Sequence, residues 1–310
     1  MRRMARPVVP ALLVLGLFVP AVSAQKVVTT ATFEIGRDLP QVRVMVNGQG
    51  PFTFGIDTGC GAEAVVMPSF AQHLNLPVVG EDTLNDPSRI STQKVPAVTI
   101  RSLNVAGVEF RNLRAPGFAG PPVPNVDGIL GFGLFRHYLF TLDYPRRQFV
   151  LARGRLPATD GKRVIPFRMP DEIPVIELNV GTKKIDAHID SGGKGITLPE
   201  KFAQSLKFAY GPAVVGRART VANAYRIKEA KLTSDIRFGE YTFSSPVVEI
   251  NPLFPIATLG SFALRAFAIT FDQRNKLVRF VATEKIIVLA YPDMLRTPSQ
   301  PQPPPGSQNH

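Results

Sequence analysis

The sequence predicts an all-β protein with minor α content, organised as a duplicated bilobal β-barrel around a central cleft. Twenty-nine prolines and twenty-five glycines among 310 residues, with no tryptophan, favour many short elements joined by turns. A hydrophobic share of 45% is sufficient for a substantial core. The third observation is an internal repeat, which predicts two counterpart lobes related by a pseudo-twofold axis.

The repeat begins with two similar segments, Phe54–Gly59 (FGIDTG) and Ala187–Gly192 (AHIDSG). Alternating strand-like residues precede each copy, at 42–46 and at 175–180. Each copy is followed by a short apolar run and then by a stretch that opens with proline. Because proline suits the first turn of a helix, we expect short helices there, over 68–74 and 199–206.

A second set of matching motifs lies near the end of each half. Ile129-Leu130-Gly131 corresponds to Thr258-Leu259-Gly260, and at the same offset Thr141–Tyr144 corresponds to Thr270–Gln273. The two motif sets recur in the same order and at nearly the same offset, so chance similarity does not explain them. The sequence therefore predicts a duplicated β-rich lobe.

Four segments follow from these patterns. Residues 1–24 are predicted to be a signal peptide, 25–155 the N-terminal lobe, 156–290 the C-terminal lobe and 291–310 a disordered proline-rich tail. The boundary between the lobes falls in the polar stretch 153–157, which follows an apolar strand-like run.

The first 24 residues have the three parts of a secretory signal. Arg2, Arg3 and Arg6 are basic, residues 8–22 are apolar, and Val22-Ser23-Ala24 is a small-residue cleavage site. The alternative is an uncleaved anchor, but two prolines interrupt an apolar run that is too short to span a bilayer. We therefore expect an exported protein, periplasmic or secreted, with no stable membrane insertion after cleavage.

Composition excludes several functional classes. One cysteine and four histidines among 310 residues rule out a disulfide framework and leave little material for a metal site. The net charge of +12 is not gathered into a basic run with interleaved aromatic residues, so we expect no nucleic-acid partner. We expect no cofactor and no metal.

The chemistry resides in the two D-[S/T]-G tripeptides. An aspartate that follows an apolar strand and precedes a glycine turn presents its carboxylate from a rigid backbone. If the lobes pack about a pseudo-twofold axis, Asp57 and Asp190 converge, and two carboxylates in contact cannot both ionise comfortably. One shared proton would let one carboxylate act as a base while the other acts as an acid.

At these residues the sequence resembles the aspartic proteases, and the retropepsin-like proteins of bacteria more closely than the large pepsin-like enzymes. The features that carry the resemblance are Asp57-Thr58-Gly59, Asp190-Ser191-Gly192 and the two downstream glycine motifs. It covers about residues 30 to 282 and is specific at these four motifs.

The resemblance implies a role for each matching residue. Asp57 and Asp190 would form the catalytic dyad, and Thr58 and Ser191 would brace the two active-site loops. Gly59 and Gly192 would support those loops, while the downstream glycine motifs would lie beneath them. It also implies a protein or peptide substrate, and a monomer whose two halves form the site within one chain.

Three residues depart from the family pattern. Cys60 and Gly193 stand where the family usually has alanine or serine, and Lys194 follows closely. Cys60 is either a buried substitute for a small residue or a redox-sensitive thiol. A nearby lysine ammonium would favour two ionised carboxylates and would oppose proton sharing.

Other candidate features are weaker. Closing hairpins are expected at 82–98 and 217–225, with Tyr225 more suited to local packing than to a flap role. His188 alternates with Asp190 along a strand and is more typical of a structural histidine. Asp143 and Asp272 precede matching basic turns, which favours turn capping over acid–base work.

The leading hypothesis is therefore an exported aspartic endopeptidase. The first alternative, suggested by Cys60, Gly193 and Lys194, is a protein of the same fold that binds peptides without cutting them. The second alternative is a structural envelope protein, with which the basic surface and the proline-rich tail are compatible.

Overall fold

The computed structural model describes residues 25–36, 38–85, 92–120, 123–219 and 224–289. The predicted signal peptide and the predicted tail lie outside the described residues, so both remain predictions. The described chain is mostly β, as predicted, with short helices. None of its described helices is long and apolar enough to cross a membrane.

The first half of the chain contains eleven strands within the described ranges. They are β1 (Lys26–Thr32), β2 (Glu34–Gly36), β3 (Leu39–Val46), β4 (Gln49–Asp57), β5 (Ala64–Val66), β6 (Val78–Asn85), β7 (Thr92–Val105), β8 (Val108–Pro116), β9 (Gly128–Gly131), β10 (Leu139–Asp143) and β11 (Gln148–Arg153). Helix α1 is Pro68–His73, and a 3₁₀ helix follows β9 at Phe132–Phe135.

The second half is also built mainly of strands, with a few short helical turns. Its strands are β12 (Val164–Pro166), β13 (Val175–Val180), β14 (Lys183–Asp190), β15 (Ile196–Pro199), β16 (Phe208–Arg219), β17 (Ala224–Leu232), β18 (Ile236–Phe238), β19 (Tyr241–Phe243), β20 (Val247–Asn251), β21 (Ala257–Gly260), β22 (Ala268–Asp272), β23 (Leu277–Val281) and β24 (Ile286–Ile287). Its helices are the 3₁₀ turn Pro170–Glu172, α2 (Glu200–Ala203) and α3 (Ser261–Leu264).

One predicted helix differs from the structure at its start. The first begins at Pro68 as expected, but Pro199 is the last residue of β15 and caps α2, which begins at Glu200 and ends at Ala203. The reason is that Pro199 continues the strand pairing of β15 with β20 opposite Asn251. Its extended ψ of 138° places it before the helix rather than inside it.

The strands form three sheets. An eight-stranded sheet has the order β5-β9-β4-β3-β7-β6, with β2 paired to β3 and β8 paired to β7. A ten-stranded sheet has the order β16-β17-β20-β15-β21-β14-β13-β18-β19-β24. The third sheet, β1-β11-β10-β22-β23-β12, takes three strands from each half of the chain.

The six-stranded sheet joins the two halves at its centre. Strands β10 and β22 pair antiparallel with Thr141 opposite Thr270, and their hydroxyl groups lie 2.9 Å apart. These two threonines are the counterparts that the sequence repeat identified. The sheet therefore fixes how the first half is placed against the second.

Phenylalanine rings pack this junction. Phe271 of the second half lies edge-on to Phe132 with ring centroids 5.1 Å apart, and stacks on Phe140 at 5.8 Å. Phe135 in turn stacks on Phe140 at 4.4 Å, and all four side chains are fully buried. Burial of large apolar side chains is the main stabilising contribution available to a chain without disulfides.

We expect Phe271→Ala to lower the free energy of unfolding by about 3–5 kcal/mol, because it opens a cavity between the halves. Val281→Ala at the exposed end of the neighbouring strand is the control, with an expected change below about 1 kcal/mol. Urea unfolding followed by fluorescence or circular dichroism measures both. An equal loss in the two variants would contradict the role of this junction.

Candidate active site

Two aspartates meet where two strands end. Asp57 is the last residue of β4 and Asp190 the last residue of β14. Each strand pairs in parallel with a later strand, so that Asp57 lies beside Gly131 of β9 and Asp190 beside Gly260 of β21. Each downstream glycine motif thus lies directly beside the end of the strand that carries the aspartate.

The glycine of each loop approaches the aspartate of the other. A Cβ atom on Gly59 would lie 2.6 Å from Asp190 Oδ1, and a Cβ atom on Gly192 would lie 2.5 Å from Asp57 Cγ. Both distances are shorter than any ordinary contact, so neither position has room for a side chain. The two carboxyl groups can approach each other because these residues have no Cβ.

Thr58 and Ser191 link the two loops through four hydrogen bonds. The Thr58 hydroxyl donates to the Ile189 carbonyl at 2.6 Å and accepts from the Ser191 N–H at 2.9 Å. The Ser191 hydroxyl donates to the Ile56 carbonyl at 2.7 Å and accepts from the Thr58 N–H at 2.9 Å. Both side chains are buried, so each bond also satisfies a backbone group that has lost water.

Backbone N–H groups hold each carboxylate. Gly59 donates to Asp57 Oδ1 at 2.8 Å, whereas Gly192 and Gly193 both donate to Asp190 Oδ1, at 2.9 and 2.8 Å. Burial raises the pKa of Asp57 well above its ordinary value, and the negative charge of Asp190 raises it further. A hydrogen bond between the two side chains acts in the same direction.

The structure accounts for two of the three departures in the active-site loops. A Cβ atom on Gly193 would lie 2.9 Å from Asp190 Oδ2, a close contact that glycine avoids. Burial, and then the charge of Asp57, raises the pKa of the Cys60 thiol to about 12, which keeps it protonated at neutral pH. Cys60 also packs against the main hydrophobic core, which favours its interpretation as a small apolar residue over a reactive thiol.

Lys194 is exposed and lies outside the group of described residues that line the cleft. Its charge lowers the pKa of Glu229 and of Glu249, although burial of those carboxyl groups has the larger and opposite effect. It is not among the groups that shift the pKa of Asp57. The concern that Lys194 opposes proton sharing therefore has no support in the geometry.

The two aspartates face a cleft of about 1000 Å³. Residues 82–85 and Thr92 of the β6–β7 hairpin line it, in the region where a flap was predicted, while 86–91 lie outside the described residues. The described part of the β16–β17 hairpin does not line the cleft. Tyr225 of that hairpin packs against Phe254, which does line it, in agreement with the expected local packing role.

The remaining sequence candidates have clear positions. Asp143 accepts bonds from the Arg146 backbone and guanidinium, and Asp272 accepts from the Leu156 and Asn275 N–H groups, so both organise turns as predicted. His188 lines the cleft and is partly buried. Across the described part of the chain, no group of three or more His, Cys, Asp or Glu side chains could hold a metal ion.

Two ion pairs in the cleft were not foreseen from the sequence. Arg114 of β8 binds Asp82 in the middle of β6, with Nη2 to Oδ1 at 2.7 Å. Arg136 binds Glu63 beside the first active-site loop at 2.7 Å. The partners are far apart in sequence and share no motif, so only the fold brings them together.

A third unforeseen feature lies beneath the second loop. The Tyr144 hydroxyl lies beside the Ser261 hydroxyl, and the Ser261 N–H donates to the Gly193 carbonyl at 2.7 Å. Burial raises the pKa of the Tyr144 phenol, since the phenolate would be desolvated. Tyr144 ends the repeated segment Thr141–Tyr144 and Ser261 directly follows the second glycine motif, but nothing in the sequence indicated that the two residues meet.

Comparison with known families was informative for the first half. Residues 42–134 match the aspartyl protease family. The matched segment includes Asp57-Thr58-Gly59 and Ile129-Leu130-Gly131, which supports an aspartic protease family for the chain. A comparison with curated proteins found no match.

We expect Gly192→Ala to disrupt the contact between the two loops, because the added methyl group would meet the Asp57 carboxylate at 2.5 Å. The predicted loss is about 2–4 kcal/mol in the free energy of unfolding, as for other overpacked sites. Gly216→Ala is the matched control, since a Cβ atom there meets nothing within 4 Å. Thermal and urea unfolding of both variants would decide, and equal stabilities would count against the close packing of the loops.

The raised pKa of Asp57 also predicts a pH dependence of stability. A carboxyl group whose pKa is higher in the folded state binds more protons there, so stability falls as pH rises from the ordinary aspartate pKa through the raised one. Asp57→Asn removes this dependence. We therefore expect the variant to gain stability relative to the wild type as pH rises from about 4 to 7, measured by urea unfolding at each pH, and a constant difference would refute the assignment.

Proposed function

We propose that the protein is an exported aspartic endopeptidase of retropepsin-like fold, with two duplicated lobes in one chain. The observation that carries the proposal is the contact between Asp57 and Asp190 at the floor of a cleft large enough for an extended peptide. The family match of residues 42–134 supports peptide hydrolysis at a general level. Export is predicted from residues 1–24 and is part of the proposal.

The duplication is supported by the fold as well as by the repeat. In each half an aspartate-bearing strand pairs in parallel with the strand of the glycine motif, and a single helical turn follows. Thr141 faces its counterpart Thr270 at the centre of the shared sheet. We place the pseudo-twofold axis of the proposed lobes between these two threonines.

In the proposed mechanism, the two carboxyl groups share one proton. The ionised carboxylate takes a proton from a water molecule, whose oxygen attacks the peptide carbonyl carbon, while the other carboxyl group donates its proton to the carbonyl oxygen. The carboxyl group that took the water proton then donates a proton to the amine nitrogen, while a hydroxyl of the tetrahedral intermediate returns its proton to the other carboxylate. The carbon–nitrogen bond breaks, the amine and the carboxylic acid leave, and the pair again shares one proton. The raised pKa of Asp57 is suited to this use, because it keeps a proton available in the pair near neutral or acidic pH.

The experiment is incubation of the purified chain with a mixed peptide library from acid to neutral pH. We expect Asp57→Asn and Asp190→Asn each to lower the cleavage rate by at least about 10³-fold, because neither carboxyl group can act alone. Asp186→Asn is the matched control: it lies on the same strand as Asp190, in an ion pair with Arg168, and its rate should stay near that of the wild type.

The other outcomes separate the alternatives. Peptides that are retained without being cut would favour a binding protein of the same fold, and neither cleavage nor retention would favour a structural envelope protein. Cleavage that survives both asparagine substitutions would overturn the proposed dyad.

A further inference from the structure

Two buried polar side chains, Tyr144 and Gln273, occupy equivalent positions of the sequence repeat, directly after Asp143 and Asp272. They follow β10 and β22, the two strands that pair at the centre of the six-stranded sheet. Both lie outside the group of described residues that line the cleft. Because buried polar groups are normally hydrogen-bonded, the groups that these two side chains reach indicate what they do.

The Gln273 amide reaches from the second half to the first active-site loop. Its Nε2 group donates to the Phe132 carbonyl oxygen at 2.7 Å. The Phe132 N–H in turn donates to the Cys60 carbonyl oxygen at 2.7 Å. Cys60 belongs to the loop that carries Asp57, so a side chain of the second half is connected to the first aspartate loop through one residue.

Tyr144 makes the converse connection, from the first half to the second active-site loop. Its hydroxyl lies beside the Ser261 hydroxyl, both oxygens are buried, and neither has another hydrogen-bond partner in the described part of the chain. The Ser261 N–H donates to the Gly193 carbonyl oxygen at 2.7 Å. The Gly193 N–H donates to Asp190 Oδ1 at 2.8 Å, so this series of contacts ends on the carboxylate itself.

The two connections use equivalent helical turns. Phe132 and Ser261 directly follow the two downstream glycines, Gly131 and Gly260, and begin the short helices there. A Cβ atom on either glycine would overlap the backbone of the adjoining active-site loop. Each turn is therefore packed directly against its loop, and a displacement of the turn would displace the loop.

We infer that Gln273 and Tyr144 are positioning residues, each of which fixes the active-site loop of the other half. Gln273 holds the loop of Asp57, and Tyr144 holds the loop of Asp190. Since each half holds the loop of the other, the two carboxyl groups keep their relative position only while the halves are docked. This inference rests on the proposed function and adds two residues that act without touching the substrate.

The kinetic test uses variants that remove only the polar group. Tyr144→Phe removes the hydroxyl, and Gln273→Met removes the amide at nearly the same side-chain length. On a peptide that the wild type cuts, we expect each variant to lower kcat about tenfold while KM stays within about threefold. The reason is that a misplaced carboxyl group slows the reaction more than it weakens substrate binding.

Two further variants control this measurement. Tyr241→Phe is the matched control, because the buried Tyr241 hydroxyl donates to the Phe280 carbonyl oxygen at 2.9 Å and neither residue is among those that line the cleft. It should keep the wild-type kcat. Ser261→Ala interrupts the Tyr144 contact from the other side, so it should lower kcat as Tyr144→Phe does and add no further loss in the double variant.

Hydrogen exchange locates the effect without relying on activity. Tyr144→Phe should speed amide exchange at Gly193 and Ser261 at least about fivefold and leave the exchange at Phe132 unchanged. Gln273→Met should do the reverse. The crossed pattern is specific to the inference, because a general loss of stability would speed exchange in both loops alike.

The outcomes are distinguishable. A variant that keeps the wild-type kcat, or exchange that speeds equally in both loops, overturns the inference while the proposed function stands. An equal loss of kcat in Tyr241→Phe overturns it as well. If the wild type cuts no peptide of the mixed library, the proposed function fails and the catalytic role of the two residues fails with it.

Discussion

The fold must hold the carboxyl groups of Asp57 and Asp190 in contact with each other, although this position removes them from part of their surrounding water. Burial and mutual repulsion oppose the charged form of such a pair, and their effect is visible in the raised pKa of Asp57. The reciprocal hydrogen bonds of Thr58 and Ser191 hold the two loops together against this repulsion. Each hydroxyl binds one N–H group and one carbonyl group of the opposite loop, so these buried backbone groups all have a partner. The loops cannot separate without breaking all four bonds.

The loops are placed by more than their own contacts. The central pairing of β10 with β22 sets the register between the two halves. The phenylalanine cluster at this junction stabilises that register, because its rings pack closely only when the two strands are aligned in this way. In each half, the strand that ends at the aspartate pairs in parallel with the strand that contains the glycine motif. The positions of the two carboxylates therefore depend on a sheet whose described residues do not line the cleft.

The sequence repeat predicted those parts of the fold that depend on local sequence patterns present in both halves. Alternating strands, D-[S/T]-G turns and the downstream glycines are local patterns, and the structure brings Asp57 and Asp190 together as they predicted. It was insufficient where the outcome depends on side chains from distant segments. The direction of Lys194, the Arg114–Asp82 pair and the meeting of Tyr144 with Ser261 each follow from tertiary packing, which one sequence does not encode as a pattern. Pro199 shows the same limit, because strand pairing overrides a helix-start signal there.

The two halves are alike in sequence at the dyad, yet their carboxyl groups are not equivalent. Asp190 Oδ1 accepts N–H bonds from Gly192 and Gly193, whereas Asp57 Oδ1 accepts the Gly59 N–H, and the Gly192 N–H also acts on the Asp57 carboxyl group. These N–H groups favour the charged form of Asp57, but burial and the charge of Asp190 oppose it, and the pKa of Asp57 is raised because burial has the largest effect. In the proposed mechanism the raised pKa of Asp57 assigns the shared proton to that carboxyl group before substrate binds. Gly193, a departure from the family pattern that at first counted against catalysis, supplies one of the N–H groups that hold the Asp190 carboxylate, so it is compatible with the proposed mechanism.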